Sequence, residues 1–153
     1  MSSLFEKTYV EVPFARARQY LADSLADLAQ SGKEQTIPLR LEILHMTHNV
    51  VVHYAPSVDP MHFDQPWKIH WSPEGGGLYP DFDGQLCVRA GDDFTGCALE
   101  LEGSYAPPLG AIGEAFDALA GKHIAESTAQ TLLQSIAARM LERHAREEAA
   151  KTP

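Results

Sequence analysis

Two spacings of apolar side chains alternate along this chain, and each marks a different kind of element. From Leu4 to Val12, β-branched and aromatic residues are interleaved with charges up to Pro13, which predicts a first strand. From Ala15 to Gln30, Tyr20, Leu21, Leu25 and Leu28 recur three or four residues apart among alanines. That spacing predicts an amphipathic helix closed by Ser31-Gly32, with Asp23-Ser24 as a point where it could break. The centre of the chain then turns to a period of two. Ile37, Leu39, Leu41 and Ile43 flank Arg40 and Glu42; Asn49 to Tyr54 is rich in valine; Trp67, Ile69 and Trp71 flank Lys68 and His70. Leu86 and Val88 sit among Gln85, Cys87 and Arg89, and Cys97, Leu99, Leu101 and Tyr105 alternate with Ala98, Glu100 and Glu102. Gly91-Asp92-Asp93 supplies a hairpin turn between the last two runs. Short turns predict antiparallel neighbours, and one-sided alternation predicts a sheet with one wet and one apolar face.

The region from Leu109 to Lys151 reads as helical, but its apolar residues do not form one stripe. At about 100° per residue, Leu109, Ile112, Phe116, Leu119 and Ala120 share one side. Ala125, Ala129, Leu132, Leu133, Ile136 and Met140 share another, far round the axis. The change falls at Gly121, a residue that weakens a helix by ~1 kcal/mol relative to Ala. A break between Ala120 and His123 is therefore expected, with a long helix following it. Beyond Leu141 the sequence is polar, with Glu142/Arg146 and Glu147/Lys151 paired at i,i+4. One domain over residues 1–141 with a polar helical extension or frayed tail over 142–153 is the expected organisation. The class is α+β: a curved antiparallel sheet whose apolar face is covered by the long C-terminal helix. A sheet curled around a helix can enclose space between them, a natural place for a ligand.

Composition narrows the function classes. The chain has 153 residues and a formal net charge of −9, from 21 acidic and 12 basic side chains. No basic run interrupts that balance, which argues against nucleic-acid binding and against docking on anionic membranes. No stretch resembles a signal peptide or a membrane span, so a soluble, cytoplasmic protein is expected. The two cysteines, Cys87 and Cys97, form no CxxC or Cys/His cluster and read as free thiols in a reducing compartment.

The passage from Leu99 to Gly113, followed by Asp117, carries Leu101, Gly103, Tyr105, Pro107, Pro108, Gly110 and Gly113 in the pattern L-x-G-x-Y-x-P-P-x-G-x-x-G-x-x-x-D. It resembles the last-strand-to-helix junction of bacterial START/polyketide-cyclase-like proteins, the SRPBCC or birch-pollen-allergen-like superfamily. The element order agrees over roughly residues 4 to 141. The resemblance implies a helix-grip fold with a cavity between sheet and long helix. It leaves the chemistry open, because that superfamily holds both binders and enzymes. The motif itself is architectural. Gly103 allows a bend or a close backbone approach, and Pro107-Pro108 ends the strand.

Candidate site residues follow from the predicted inward positions. Tyr54, Trp67, Ile69, Trp71, Tyr79, Leu99, Leu101, Tyr105, Phe116 and His123 are the candidates for lining the interior, with His123 expected near the cavity's end after the helix break. Plain core packing explains any one of the aromatics equally well. Several Trp and Tyr together, however, need partners for their polar tips when buried. The expected partner is a small apolar molecule or lipid. A polyketide cyclase or aromatase-like reaction, with Tyr54, Tyr105 and His123 as proton-moving groups, is the alternative. An interaction module without a ligand is the third reading, and a homodimer is left open. Phe82 also belongs to the aromatic set. His45, His48, His53, His62 and His70 invite a metal, but no carboxylate completes a site and no metal or other cofactor is expected. Gly75-Gly76-Gly77 lacks a phosphate-loop continuation, Asp81-Phe82-Asp83-Gly84 departs from a calcium loop, and no nucleophile elbow occurs.

Overall fold

The computed structural model describes residues 2–31, 35–41, 46–55, 67–73, 81–92, 95–106 and 118–151. Their elements run in the order β1 (Ser2–Val10), α1 (Phe14–Ser31), β2 (Gln35–Leu41), β3 (Met46–Ala55), β4 (Trp67–Pro73), β5 (Asp81–Ala90), β6 (Cys97–Ala106) and α2 (Ala118–Lys151). All six strands join one antiparallel sheet in the order β1-β6-β5-β4-β3-β2. The sheet is curved, and the long helix makes this an α+β helix-grip arrangement. Pro38 sits in β2, an outer strand, where a missing N–H need not interrupt a ladder on both sides.

Alternation along the strands separates the faces as the sequence spacing requires. On the concave face, Leu4 and Val10 of β1, Ile69 and Trp71 of β4, Phe82 and Leu86 of β5, and Leu99, Leu101 and Tyr105 of β6 are buried. On the convex face, Phe5 and Tyr9 stand out at 55% exposure each, and Glu102 is exposed. Glu100 departs from the solvated position expected of it. Its carboxylate accepts from Arg89 Nε at 2.7 Å and lies 3.9 Å from Cys87 Sγ, both on the adjacent strand, so it is largely covered.

Helix α2 presents Ile124, Ala125, Thr128, Ala129, Leu132, Leu133, Ile136, Ala137 and Met140 to the core, a 3.6-residue stripe. It packs chiefly over β1 and β6, while α1 meets β3 and β5 and buries Ala17, Tyr20 and Leu21. At its start α2 departs from expectation. It runs unbroken from Ala118 through Gly121 to Lys151. A single glycine costs only ~1 kcal/mol, which the packing of a 34-residue helix outweighs. Residues 107–117, which hold the rest of the first apolar stripe, lie outside the described residues. Helix α1 is likewise continuous past Asp23-Ser24.

The polar end of α2 is tied to α1. Tyr20 Oη donates to Glu147 at 2.5 Å, and Arg16 Nη1 donates to Glu148 at 2.5 Å and meets His144 Nδ1 at 3.0 Å. Arg143 bridges Asp23 at 3.0 Å and stacks over the Tyr20 ring, 4.4 Å from its centroid. The hydrogen bond from Tyr20 is the largest influence holding the Glu147 carboxyl below its ordinary range, and that from Arg16 does the same for Glu148. Burial is the main reason the Tyr20 phenol is pushed up. These contacts dock the last turns of the helix although that stretch has no apolar stripe of its own.

Candidate functional site

The strand register sets the concave face out in rows. Val52, Trp71, Phe82 and Tyr105 lie side by side across β3, β4, β5 and β6. The next row is Tyr54, Ile69, Gly84, Gly103 and Leu4. Beyond it come Trp67, Leu86, Leu101 and Glu6, then Val88, Leu99 and Thr8.

The paired glycines shape this surface. A Cβ on Gly84 would collide with the Glu102 carbonyl oxygen and with the Phe82 ring, and one on Gly103 would collide with the Asp83 carbonyl oxygen, Gly84 Cα and the same ring. Phe82 therefore lies along the strand over two positions that lack side chains. Its ring also stacks on Trp71, with centroids 4.1 Å apart and planes inclined by 17°. The two rings thus pack nearly parallel, in the stacked contact that aromatic pairs make. The Gly103 side of this arrangement is the close backbone approach foreseen from the motif.

Of the candidates named from sequence, Ile69, Trp71, Leu99, Leu101 and Tyr105 come together on this face and are buried, and Trp67 is half-buried at its margin. They are packed: Trp71, Leu99 and Leu101 have 0% exposure, so the enclosed space expected between sheet and helix does not open onto them. Tyr54 occupies an inward position by register, but its side chain lies outside the described residues, as do Tyr79 and Phe116 altogether. His123 is a correction. It is exposed on α2, because a helix that buries Ile124, Thr128 and Leu132 turns position 123 to the opposite side. With no break at Gly121 to redirect it, His123 does not approach the interior. Phe82, counted among the aromatics but not among the site candidates, holds the central position. Its signal was the Phe-x-Gly spacing facing a second glycine, which becomes legible only once β5 and β6 are in register.

No protein-family model and no curated protein matches the sequence. Solved structures do match its backbone. A conserved protein from Geobacillus kaustophilus is similar with a TM-score of 0.60 at 10% identity, over 92% of this chain and 96% of its own. The Zhui aromatase/cyclase from Streptomyces sp. R1128 is similar with a TM-score of 0.55 at 12% identity, over 93% and 94%. Norcoclaurine synthase from Thalictrum flavum, solved in complex with dopamine and hydroxybenzaldehyde, gives 0.51 at 15%, over 92% and 87%. The fold is of the SRPBCC type. At such identities the likeness concerns the backbone, and the chemistry has to be argued from the side chains.

Among the described residues, buried polar side chains are few. Thr128 is fully buried but donates to the Ile124 carbonyl at 2.7 Å, which satisfies it. Gln130 of α2 donates to Glu6 of β1 at the edge. The indole Nε1 of Trp71 is different: among the described residues it is the buried side-chain nitrogen or oxygen that reaches no hydrogen-bond partner. Burial also pushes the Cys97 thiol up to about 11, so it stays protonated and inert at neutral pH.

The convex face carries a second polar grouping. His70 Nδ1 lies 2.8 Å from Asp83 Oδ1, and the His53 and His70 rings are 6.1 Å apart, in an open groove of about 450 Å³ lined also by Lys68 and Gln85. Among the described residues no group of three or more His, Cys, Asp or Glu side chains could hold a metal ion. No helix among them is long and apolar enough to cross a membrane.

Proposed function

We propose that the protein binds a small, mainly apolar organic molecule between the concave face of the sheet and α2. The observation that carries this reading is the Trp71–Phe82 stack, with the Phe82 ring seated against the bare positions Gly84 and Gly103. A Cβ at either glycine would meet a strand carbonyl oxygen and the rim of the Phe82 ring, so it is the two bare positions that let this ring sit close against the sheet. In this reading the Phe82 ring, which no side chain at Gly84 or Gly103 braces from beneath, swings off the sheet to admit the molecule. Ile69, Leu99, Leu101 and Tyr105 would then contact the incoming molecule with apolar surface, as ligand sites generally do. The similarity to norcoclaurine synthase, whose structure holds two small aromatic compounds, and to an aromatase/cyclase is consistent with a planar apolar ligand. The free thiols Cys87 and Cys97 accord with a reducing, cytoplasmic setting for this binding.

A catalytic reading has less behind it: of the three groups that sequence reasoning offered as proton carriers, His123 faces solvent and only Tyr105 is placed in the described interior. Native mass spectrometry of the protein purified from its own host tests the binding reading. An adduct that dissociates on gentle activation is expected. The reading fails if no adduct appears and if flat bicyclic aromatics and fatty acids alike leave the melting temperature unchanged.

A further inference from the structure

The indole N–H of Trp71 is fully buried in a core whose described members are apolar apart from Thr128, and it makes no hydrogen bond there. Buried donors are nearly always paired, because leaving one unpaired forfeits its hydration with nothing in return. The buried hydroxyl of Thr128 shows the usual arrangement, with its proton given to a helix carbonyl. Phenylalanine or leucine would fill the Trp71 position without that penalty. Trp71 is also the residue that forms half of the aromatic stack proposed above to receive the ligand.

From this we infer that the ligand carries a hydrogen-bond acceptor, a carbonyl or ether oxygen on an otherwise apolar and planar frame, and that Trp71 Nε1 donates to it. The inference rests on the binding reading and sharpens it to a class: aryl ketones, quinone-like or lactone-like molecules rather than pure hydrocarbons or aliphatic chains. Recognition then has two parts. The aromatic side chains select an apolar frame, and the single donor selects orientation, because only one edge of the ligand can face the indole nitrogen. A lone directional contact in an apolar site discriminates well, since a ligand lacking the acceptor leaves the donor buried and unpaired.

The test uses two probes of nearly equal size, 2-acetylnaphthalene and 2-ethylnaphthalene. Transfer from water to an apolar interior favours the ethyl compound, so a preference for the ketone requires a donor. The chain has two tryptophans, so a ¹⁵N-labelled sample shows two indole N–H signals, assigned with Trp67→Phe. Both probes should bind, the ketone about tenfold more tightly, and the ketone alone should move the Trp71 indole proton downfield. Trp71→Phe should abolish the preference, bringing the two affinities level whatever its effect on the ethyl compound. If that variant does not fold, the wild-type indole shift decides. Equal affinities with an unmoved indole signal overturn this inference and leave the binding reading standing. Failure of both probes and of a fatty acid to bind overturns the binding reading and this inference together. A Trp71 indole proton already at a hydrogen-bonded shift in ligand-free protein, unchanged on adding the ketone, also overturns it.

Discussion

Replacing Gly84 by Ala adds one methyl group at the centre of the sheet, and the structure says what that methyl meets. Its carbon would fall on the carbonyl oxygen of Glu102, a backbone atom of the neighbouring strand, and on the rim of the Phe82 ring. Gly84 has no left-handed φ, so alanine suffers no backbone strain there and the conflict is one of space. Two opposing effects set the size. The unfolded chain loses freedom when Gly becomes Ala, which stabilises by ~0.4–1 kcal/mol. Overpacking a filled interior costs ~1–3 kcal/mol, and the upper part of that range applies because a strand carbonyl cannot rotate aside as a side chain can. The expected net loss is about 1–2 kcal/mol, which for a chain of this length lowers the melting temperature by roughly 2–8 °C. Urea denaturation followed by circular dichroism measures it. Phe82→Leu, made alone and together with Gly84→Ala, separates the two contacts. The ring rim is gone in that background while the Glu102 oxygen remains, so the alanine penalty should shrink by about 0.5–1 kcal/mol without vanishing. If Gly84→Ala is neutral or stabilising in the wild-type background, Phe82 does not sit against the glycine pair and the argument from the bare positions falls.

The Glu147 and Glu148 carboxyls are held below their ordinary range by Tyr20 and Arg16, so their contribution is present above the unfolded-state carboxylate pKa of about 4.3 and is lost as pH falls through the lower folded values. Thermal melts of the wild type should therefore fall more steeply below about pH 4 than those of a Glu147→Gln/Glu148→Gln double variant, and parallel curves would refute the docking role of the α2 terminus. Cys97, with a pKa of about 11 from burial, should resist alkylation by iodoacetamide at pH 8 in the native state and react fully in urea; prompt native labelling confirmed by peptide mapping would contradict its burial. His123→Ala should change stability by less than about 0.5 kcal/mol and leave binding of both naphthalene probes unaltered. A loss of binding would return His123 to the interior.

Much of the architecture could be read from the order of residues alone. A period of two at Trp67-Ile69-Trp71 or Leu99-Leu101 is a local consequence of the pleat, and the stripe from Ala125 to Met140 is a local consequence of helical pitch. Each therefore announced its own element and its buried side. The turn chemistry between neighbouring runs then made antiparallel pairing the economical arrangement. Tertiary structure decided whatever depended on residues far apart in the chain. Register across β5 and β6 placed Gly84 opposite Gly103 and let Phe82 lie down on both, and neither glycine alone signals that. Packing carried α2 through Gly121, because the energy of one weak helical residue is small beside that of a long buried face, and this continuity turned His123 outward. The polar end of α2 looked like a solvated tail because its partners, Arg16, Tyr20 and Asp23, lie more than a hundred residues earlier. Whether a buried indole finds an acceptor is likewise a question about neighbours in space. The sequence put Trp71 on the inner face by its spacing, but only the folded chain shows that its nitrogen is left unpaired there.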